Sequence, residues 1–294
     1  METYLDCIPC LLNHSLKAAR AVTDDEDIHR QVLNAMAAMI PQLSLGLKPP
    51  EIAQEAYRLI RQITGHSDPF HKVKAEANAD ALALYPRLVK IVVDAEDPLL
   101  TACKLAIAGN SIDLGPEFGQ VTMESLVETA LGSHIDSRDY QRFRNSIASS
   151  YRIIYIGDNT GEIVFDRLLI EQLHKVKKLD VVFVVRERPV INDATRDDAL
   201  DVGMDKVARI ISSGSDAPAA ILSQCSREMV ELFHSVDMII AKGQGNYEAL
   251  DEETGNIFFL LRAKCSIIAD QFGVKIGDAV LKQKKSASQA GNTV

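Results

Sequence analysis

The sequence predicts an α/β protein: a Rossmann-like, mostly parallel α/β/α sandwich preceded by an all-helical N-terminal domain. Three observations carry this. Up to about residue 150 the apolar residues recur at helical spacing. Beyond it, short β-branched runs alternate with helical stretches, the pattern of βαβ units. Several of those runs end in a polar, glycine-containing cluster, where open α/β sheets bind their ligands.

The elements follow in order. In "IHRQVLNAMAAMI", Ile28, Val32, Leu33, Ala35, Met36, Met39 and Ile40 share one helical face. "PPEIAQEAYRLIRQITG" starts on prolines and stops at Gly65, as a helix should. "DPFHKVKAEANADALALYPRLVKIVVDA" reads as one long helix or two joined near Pro86. "PLLTACKLAIAG" ends at Gly109, and no convincing strand precedes residue 150. The strand-like runs are Arg152–Gly157, Val181–Val185, Arg209–Ser212, Met238–Ala241 and Ser266–Ala269. Helices are expected between them in "EIVFDRLLIEQLHKVKKL" and "PAAILSQCSREMVELFHSV". The boundary falls around residues 134–150, giving a helical domain over 1–145 and a Rossmann-like metal- and phosphate-binding domain over 146–285. The tail "LKQKKSASQAGNTV" is polar and basic and is expected to fray, with 286–294 flexible.

Net charge is −9, which argues against non-specific nucleic-acid binding. No basic stretch followed by an apolar run marks a signal peptide. No apolar run approaches the ~18–20 residues of a membrane helix. The cysteines are odd in number and mostly scattered: Cys7, Cys10, Cys103, Cys225 and Cys265. A disulfide framework is therefore not expected, and the reducing cytoplasm is the predicted compartment.

The chemistry sits after the strands. "GDNTGE" follows the first. Asp158 and Asn159 offer hard oxygen ligands, and Gly161 allows close backbone approach at a helix start that favours an anion. A helix cap needs one such residue, and this stretch has three in a row. Glu162 is placed to orient water or a leaving group. "RERPVINDATRDDA" follows the second strand. Thr195 with Asp198 resembles a capping box, which leaves Asn192 and Asp193 unexplained. Two carboxylates and an amide oxygen suit Mg²⁺ or Mn²⁺. "AKGQGNYE" follows the fourth strand. Lys242 there can hold a phosphate oxygen, and the backbone beside Gly243 can donate to it. Neither a P-loop nor a G-x-G-x-x-G motif is present.

The order "GDNTGE … PVINDAT … AKGQGNYE" resembles the metal-dependent damage-control phosphatase family, once grouped as a domain of unknown function. "CIPC", "GHSDPF" around Asp68 and "AGNSID" at Asn110–Asp113 are similar to its prokaryotic branch, which carries paired cysteines. The resemblance runs from Cys7 to about Asp270. It implies a helical domain on a Rossmann-like domain, and release of phosphate from small phosphorylated metabolites such as sugar phosphates. By the resemblance, Asp158, Asn159 and Asp193 ligate a divalent metal (Mg, Mn, Co or Ni) and Lys242 contacts phosphate. Asn110 is implied on the phosphate or metal side.

Asp68, Lys74, Asn78 and Asp113 have capping or solvation as their plainer reading. Cys7 and Cys10 are open to a second metal, to redox chemistry or to simple packing, because a structural zinc wants about four ligands. Attack by water, and by Asp193 through a phospho-enzyme, both stay open. The rival functions are an S-adenosylmethionine-dependent methyltransferase and a non-catalytic phospho-metabolite binding protein.

Overall fold

The computed structural model describes residues 1–109 and 123–284. In chain order the N-terminal half builds α1 (Cys7–Val22), α2 (Glu26–Met39), α3 (Pro49–Thr64), α4 (His71–Val93), α5 (Pro98–Gly109), α6 (Met123–Gly132) and α7 (Ser137–Ser149). Local chemistry sets several ends. Asp25 caps α2 by accepting from the Asp27 N–H at 2.9 Å. Gly65 closes α3 in the left-handed region at φ 70°. α4 runs unbroken through Pro86 as a single helix.

The second half alternates strand and helix: β1 (Arg152–Ile156), α8 (Glu162–Val176), β2 (Asp180–Val185), α9 (Arg196–Asp201), β3 (Arg209–Ser212), α10 (Arg227–Ser235), β4 (Met238–Lys242), α11 (Gly243–Leu250), β5 (Ile257–Arg262), α12 (Ser266–Phe272) and β6 (Ala279–Gln283). The sheet order is β3-β2-β1-β4-β5-β6. All pairings are parallel except β5 with β6. The fold is therefore the predicted helical bundle followed by a mostly parallel α/β/α sandwich.

Strand side chains alternate between the two faces. Ile153, Tyr155, Val181, Phe183, Ile240, Phe258 and Leu260 join a core with α4 to α8. Ile154, Ile156, Val182, Val184, Ile239, Phe259 and Leu261 join the opposite core with α10, α11 and α12. Helices α1 to α3 form a smaller cluster that also takes in Val190, from the loop after β2. No described helix is long and apolar enough to cross a membrane.

Three local expectations are corrected. Ser266–Ala269 is the first part of α12, not a strand. A four-residue apolar run does not distinguish a strand from a buried helix face, and Ile268 and Ala269 are the residues α12 buries. The fifth strand is instead "IFFLLR", a continuous apolar run of the kind that doubly covered strands require. The tail does not fray from its start: Leu281–Gln283 lie in β6, where Leu281 pairs with Leu260. Residues 286–294 lie outside the described residues. In "PAAILSQCSREMVELFHSV" the α-helix begins only at Arg227, because Ser226 caps it by accepting from the Met229 N–H at 3.2 Å.

Polar contacts dock the three-helix cluster onto the sheet. Asp216, in the loop after β3, accepts from Gln54 Nε2 at 2.7 Å and Arg61 Nη2 at 2.7 Å on α3, and from Arg58 Nη2 at 2.8 Å. Burial alone would raise its carboxyl, but bonds from Arg58 and Gln54 outweigh that and hold it at about 2. A depressed carboxyl stabilises the fold above its ordinary value, and that contribution is lost as pH falls through the folded value. Asp216→Asn is expected to lower the melting midpoint by about 3 °C at pH 7, Arg58 being partly solvent-screened. Melting the two proteins between pH 7 and pH 2 checks this: the gap between them narrows on acidification.

Candidate active site

Strand order reverses between β1 and β4, so their carboxyl ends frame a crevice. The turn after β1, the loop after β2 and the start of α11 all meet there. Asn159 forms an antiparallel bridge with Asp193. Ala194 N donates to Asp158 O at 2.8 Å, and Thr160 N donates to Asn192 O at 2.9 Å. Backbone pairing thus places Asp158, Asn159 and Asp193 together, though 35 and 34 residues part the acid and amide of the first turn from Asp193 in sequence. Ile191, next in line to Asn192, carries φ 47°. A β-branched residue held there is strained, and the loop around it maintains the strain.

The carboxylates are crowded and buried. Asp158 is 9% exposed, Asp193 2%, and Glu162 and Asp166 are fully buried. Burial pushes the Asp158 carboxyl well above its usual range, and the charges of Asp193 and Glu162 add to this. Burial likewise raises Asp193 against the opposing pull of Arg186. It pushes Asp166 up to about 7 despite the neighbouring Lys242. Gly243, at φ 79°, keeps Asp158 where it is: a Cβ there would fall 1.9 Å from Asp158 Oδ2.

Asn159 Nδ2 donates to Asp158 Oδ2 at 3.1 Å and Glu162 Oε2 at 3.3 Å, which turns its Oδ1 to the other side. Lys242 is fully buried at the end of β4. Its Nζ binds Glu162 Oε1, Asp166 Oδ1 at 2.7 Å and the Ala106 carbonyl at 2.8 Å. Burial disfavours that ammonium, but Asp166 and Glu162 outweigh burial and raise it above its usual range. Tyr155 donates to Asp166 Oδ1 at 2.7 Å. Arg186, 1% exposed, spans Asp193 and Asp158: Nε donates to Asp193 Oδ2 at 2.6 Å, and Nη2 stands 3.6 Å from Asp158 Oδ1.

The structure therefore gathers Asp158, Asn159, Gly161, Glu162, Asp193, Lys242 and Gly243. It also shows which donors are spent. The Gly161 N–H donates to Asn78 Oδ1 at 2.7 Å, and the three Lys242 contacts match the three protons of its ammonium. Asp68 and Lys74 meet at 3.2 Å, and Lys74 reaches Asp198 at 2.9 Å, tying α4 to α9 beside the site. Asn110 and Asp113 lie outside the described residues.

Cys7 and Cys10 open α1, where the field of Glu248 and of Cys265 reaches both. Partial burial raises the Cys7 thiol, while Cys10 is exposed. Gln244 donates to Glu248 Oε1 at 2.8 Å and to Cys265 Sγ at 3.6 Å. Among the described residues no three His, Cys, Asp or Glu side chains form a ready metal cage, at the cysteines or elsewhere.

Arg186 and Asp166 were missed from sequence. Arg186 had the signal of Asp158, being a polar residue directly beyond a buried strand. Asp166 lies one turn from Glu162 on the mostly apolar "EIVFDRLLI", and an i, i+4 acid pair on a buried helix face calls for a cation.

A divalent cation fits this donor set. Asp158, Glu162, Asp166 and Asp193 crowd around Arg186 and Lys242, and the charges of Lys74 and Lys264 also reach Asp193 and Asp158. Burial disfavours the charged forms of Asp158 and Asp193, and a cation held between them would favour those forms. The candidate ligands are all oxygen, and Asn159 as the third member accounts for the lack of a three-acid cage.

Comparison with known proteins agrees with the geometry. The damage-control phosphatase ARMT1-like domain matches residues 3–280. An uncharacterized protein of Methanocaldococcus jannaschii is 35% identical over 95% of this chain and 94% of its own. A damage-control phosphatase of Pyrococcus horikoshii is 33% identical over 97% of this chain and 99% of its own. The crystal structure of a DUF89 family protein from Pyrococcus horikoshii superposes with a TM-score of 0.85 at 31% identity, covering 97% of this chain and 100% of that one. These likenesses support a phosphatase-type activity, and with the matched domain spanning nearly the whole sequence, the chain belongs to the damage-control phosphatase ARMT1-like family.

Proposed function

We propose that this protein is a cytoplasmic, metal-dependent phosphomonoester hydrolase acting on small phosphorylated metabolites. The observation that carries the reading is the buried, oxygen-rich cluster of Asp158, Asn159 and Asp193 at the switch point. Asp158, Asn159 and Asp193 would hold a divalent cation, Mg, Mn, Co or Ni. When bound, it supplies positive charge to the oxygens of a phosphoryl group in transfer. The chain's own residues do the rest. Lys242 fixes Glu162, and Glu162 fixes Asn159 through its backbone N–H at 3.3 Å and its side-chain amide. Arg186 fixes one oxygen of Asp193, so its other oxygen faces the reaction either as a ligand or as the nucleophile. Trapping a phospho-enzyme by rapid quench distinguishes the Asp193 route from attack by water.

The test is phosphate release from sugar phosphates, nucleotides and p-nitrophenyl phosphate. At least one is expected to turn over, and Asp193→Asn is expected to lower the rate by about a thousandfold or more, as removal of an essential catalytic group does. An Asp193→Asn protein with normal turnover would remove Asp193 from the site. No turnover of any monoester, in protein shown to bind a divalent cation, would favour a binding protein over an enzyme.

A further inference from the structure

We propose that Arg186, with Asn192, forms the subsite that receives the phosphate oxyanion, and that in the resting site Arg186 acts as a tethered counter-ion across Asp158 and Asp193. The proposal rests on the phosphatase reading and deepens it. It begins from donors that lack acceptors. Among the described residues, the buried side-chain nitrogens without a hydrogen-bond partner are Arg186 Nη1 and Nη2 and Asn192 Nδ2. All three belong to the one loop after β2. A buried donor left unpaired is costly and rare, and where it occurs it marks an absent partner. Two of the donors named from sequence for phosphate, Lys242 and the Gly161 N–H, are already engaged by protein acceptors.

The guanidinium has the right shape for the task. Its planar fork matches two oxygens of a phosphate, which a point charge such as lysine does not. Its root is fixed, because Arg186 N donates to Ala194 O at 3.0 Å and the residue bridges to Thr195. Only Nε is committed, to Asp193. The 3.6 Å approach of Nη2 to Asp158 is an ion pair without a hydrogen bond, so the two terminal nitrogens keep their donor capacity. Asp158 and Asn159, at 9% and 7% exposure, are the least buried members of the cluster. The same placement makes Arg186 a competitor of the metal. It neutralises the two carboxylates that a divalent cation would take, so cation binding at Asp158 and Asp193 frees the guanidinium fork for the anion.

Binding measurements on the full chain test this apart from turnover. Manganese alone, and inorganic phosphate on manganese-loaded protein, are titrated by calorimetry into wild type, Arg186→Met and Arg186→Lys. Arg186→Met is expected to lose about thirtyfold or more in phosphate affinity while gaining several-fold in manganese affinity. Arg186→Lys is expected to lose about tenfold for phosphate with manganese affinity little changed, because charge is kept and the fork is not. If the methionine variant does not fold, the lysine variant alone decides. Unchanged phosphate affinity in the folded variants overturns the subsite. A parallel loss of manganese and phosphate affinity also overturns it, since a prop for the carboxylates would give that result. Wild-type protein that binds no phosphate overturns it as well. Phosphate binding sensitive to Arg186 in a protein that hydrolyses no monoester supports the subsite and refutes the phosphatase reading.

Discussion

Lys242→Met is expected to lower the melting midpoint by about 10 °C and to abolish phosphate release. Lys242 is fully buried and its ammonium is the shared partner of Glu162 and Asp166, both also fully buried. Removing one partner of a buried ion cluster leaves uncompensated charge and costs about 3–5 kcal/mol. Activity falls for a separate reason: Glu162 loses the contact that holds it against Asn159. A companion protein separates the two effects. Adding Glu162→Gln and Asp166→Asn to Lys242→Met removes the stranded carboxylates, so stability is expected to return in large part while activity does not. Thermal melts and rate measurements on both proteins check this. A Lys242→Met protein with a wild-type midpoint would show that the cluster is not the buried, mutually dependent unit described here.

Gly243→Ala is expected to show the reverse balance, with activity lost and the fold kept. The new methyl would fall 1.9 Å from Asp158 Oδ2 and 2.5 Å from its Cγ, so the carboxylate has to move. Alanine at φ 79° adds about 1–2 kcal/mol of backbone strain, worth only a few degrees in the midpoint. Displacing a catalytic group by about 1 Å costs on the order of a hundredfold in rate. The pairing of a near-normal melt with at least that loss of turnover is the expected result. Normal turnover would mean that the position of Asp158 does not matter to the chemistry.

Much of this site was legible in the sequence, for a reason that also sets the limit. A parallel sheet puts its ligand-binding residues at the carboxyl ends of strands, so "GDNTGE" after β1 and "IND" after β2 announce themselves as polar clusters beyond apolar runs. Asp158, Asn159 and Asp193 were found that way, and the structure brings them together by backbone pairing. What sequence does not carry is which partner each group finds. Lys242 reads as an open phosphate contact after β4, yet it is folded inward onto Glu162, Asp166 and the Ala106 carbonyl, the last of these on α5 and 136 positions away. Arg186 reads as one of two arginines in "RERP", and only burial singles it out. The fold shows the same limit. "SIIA" and "IFFLLR" are both apolar, and the choice of strand was made by pairing: Phe258 to Leu260 find Ile240 to Lys242 on one side and Leu281 to Gln283 on the other.

Phosphate release by metal-stripped protein, with Mg²⁺, Mn²⁺, Co²⁺ or Ni²⁺ added back singly and Asp158→Ala beside it, tests the central claim most directly. The prediction is no release from stripped protein, recovery with at least one cation, and none from Asp158→Ala under any of them. Full release from stripped protein, or an Asp158→Ala protein that responds to metal as wild type does, would contradict it.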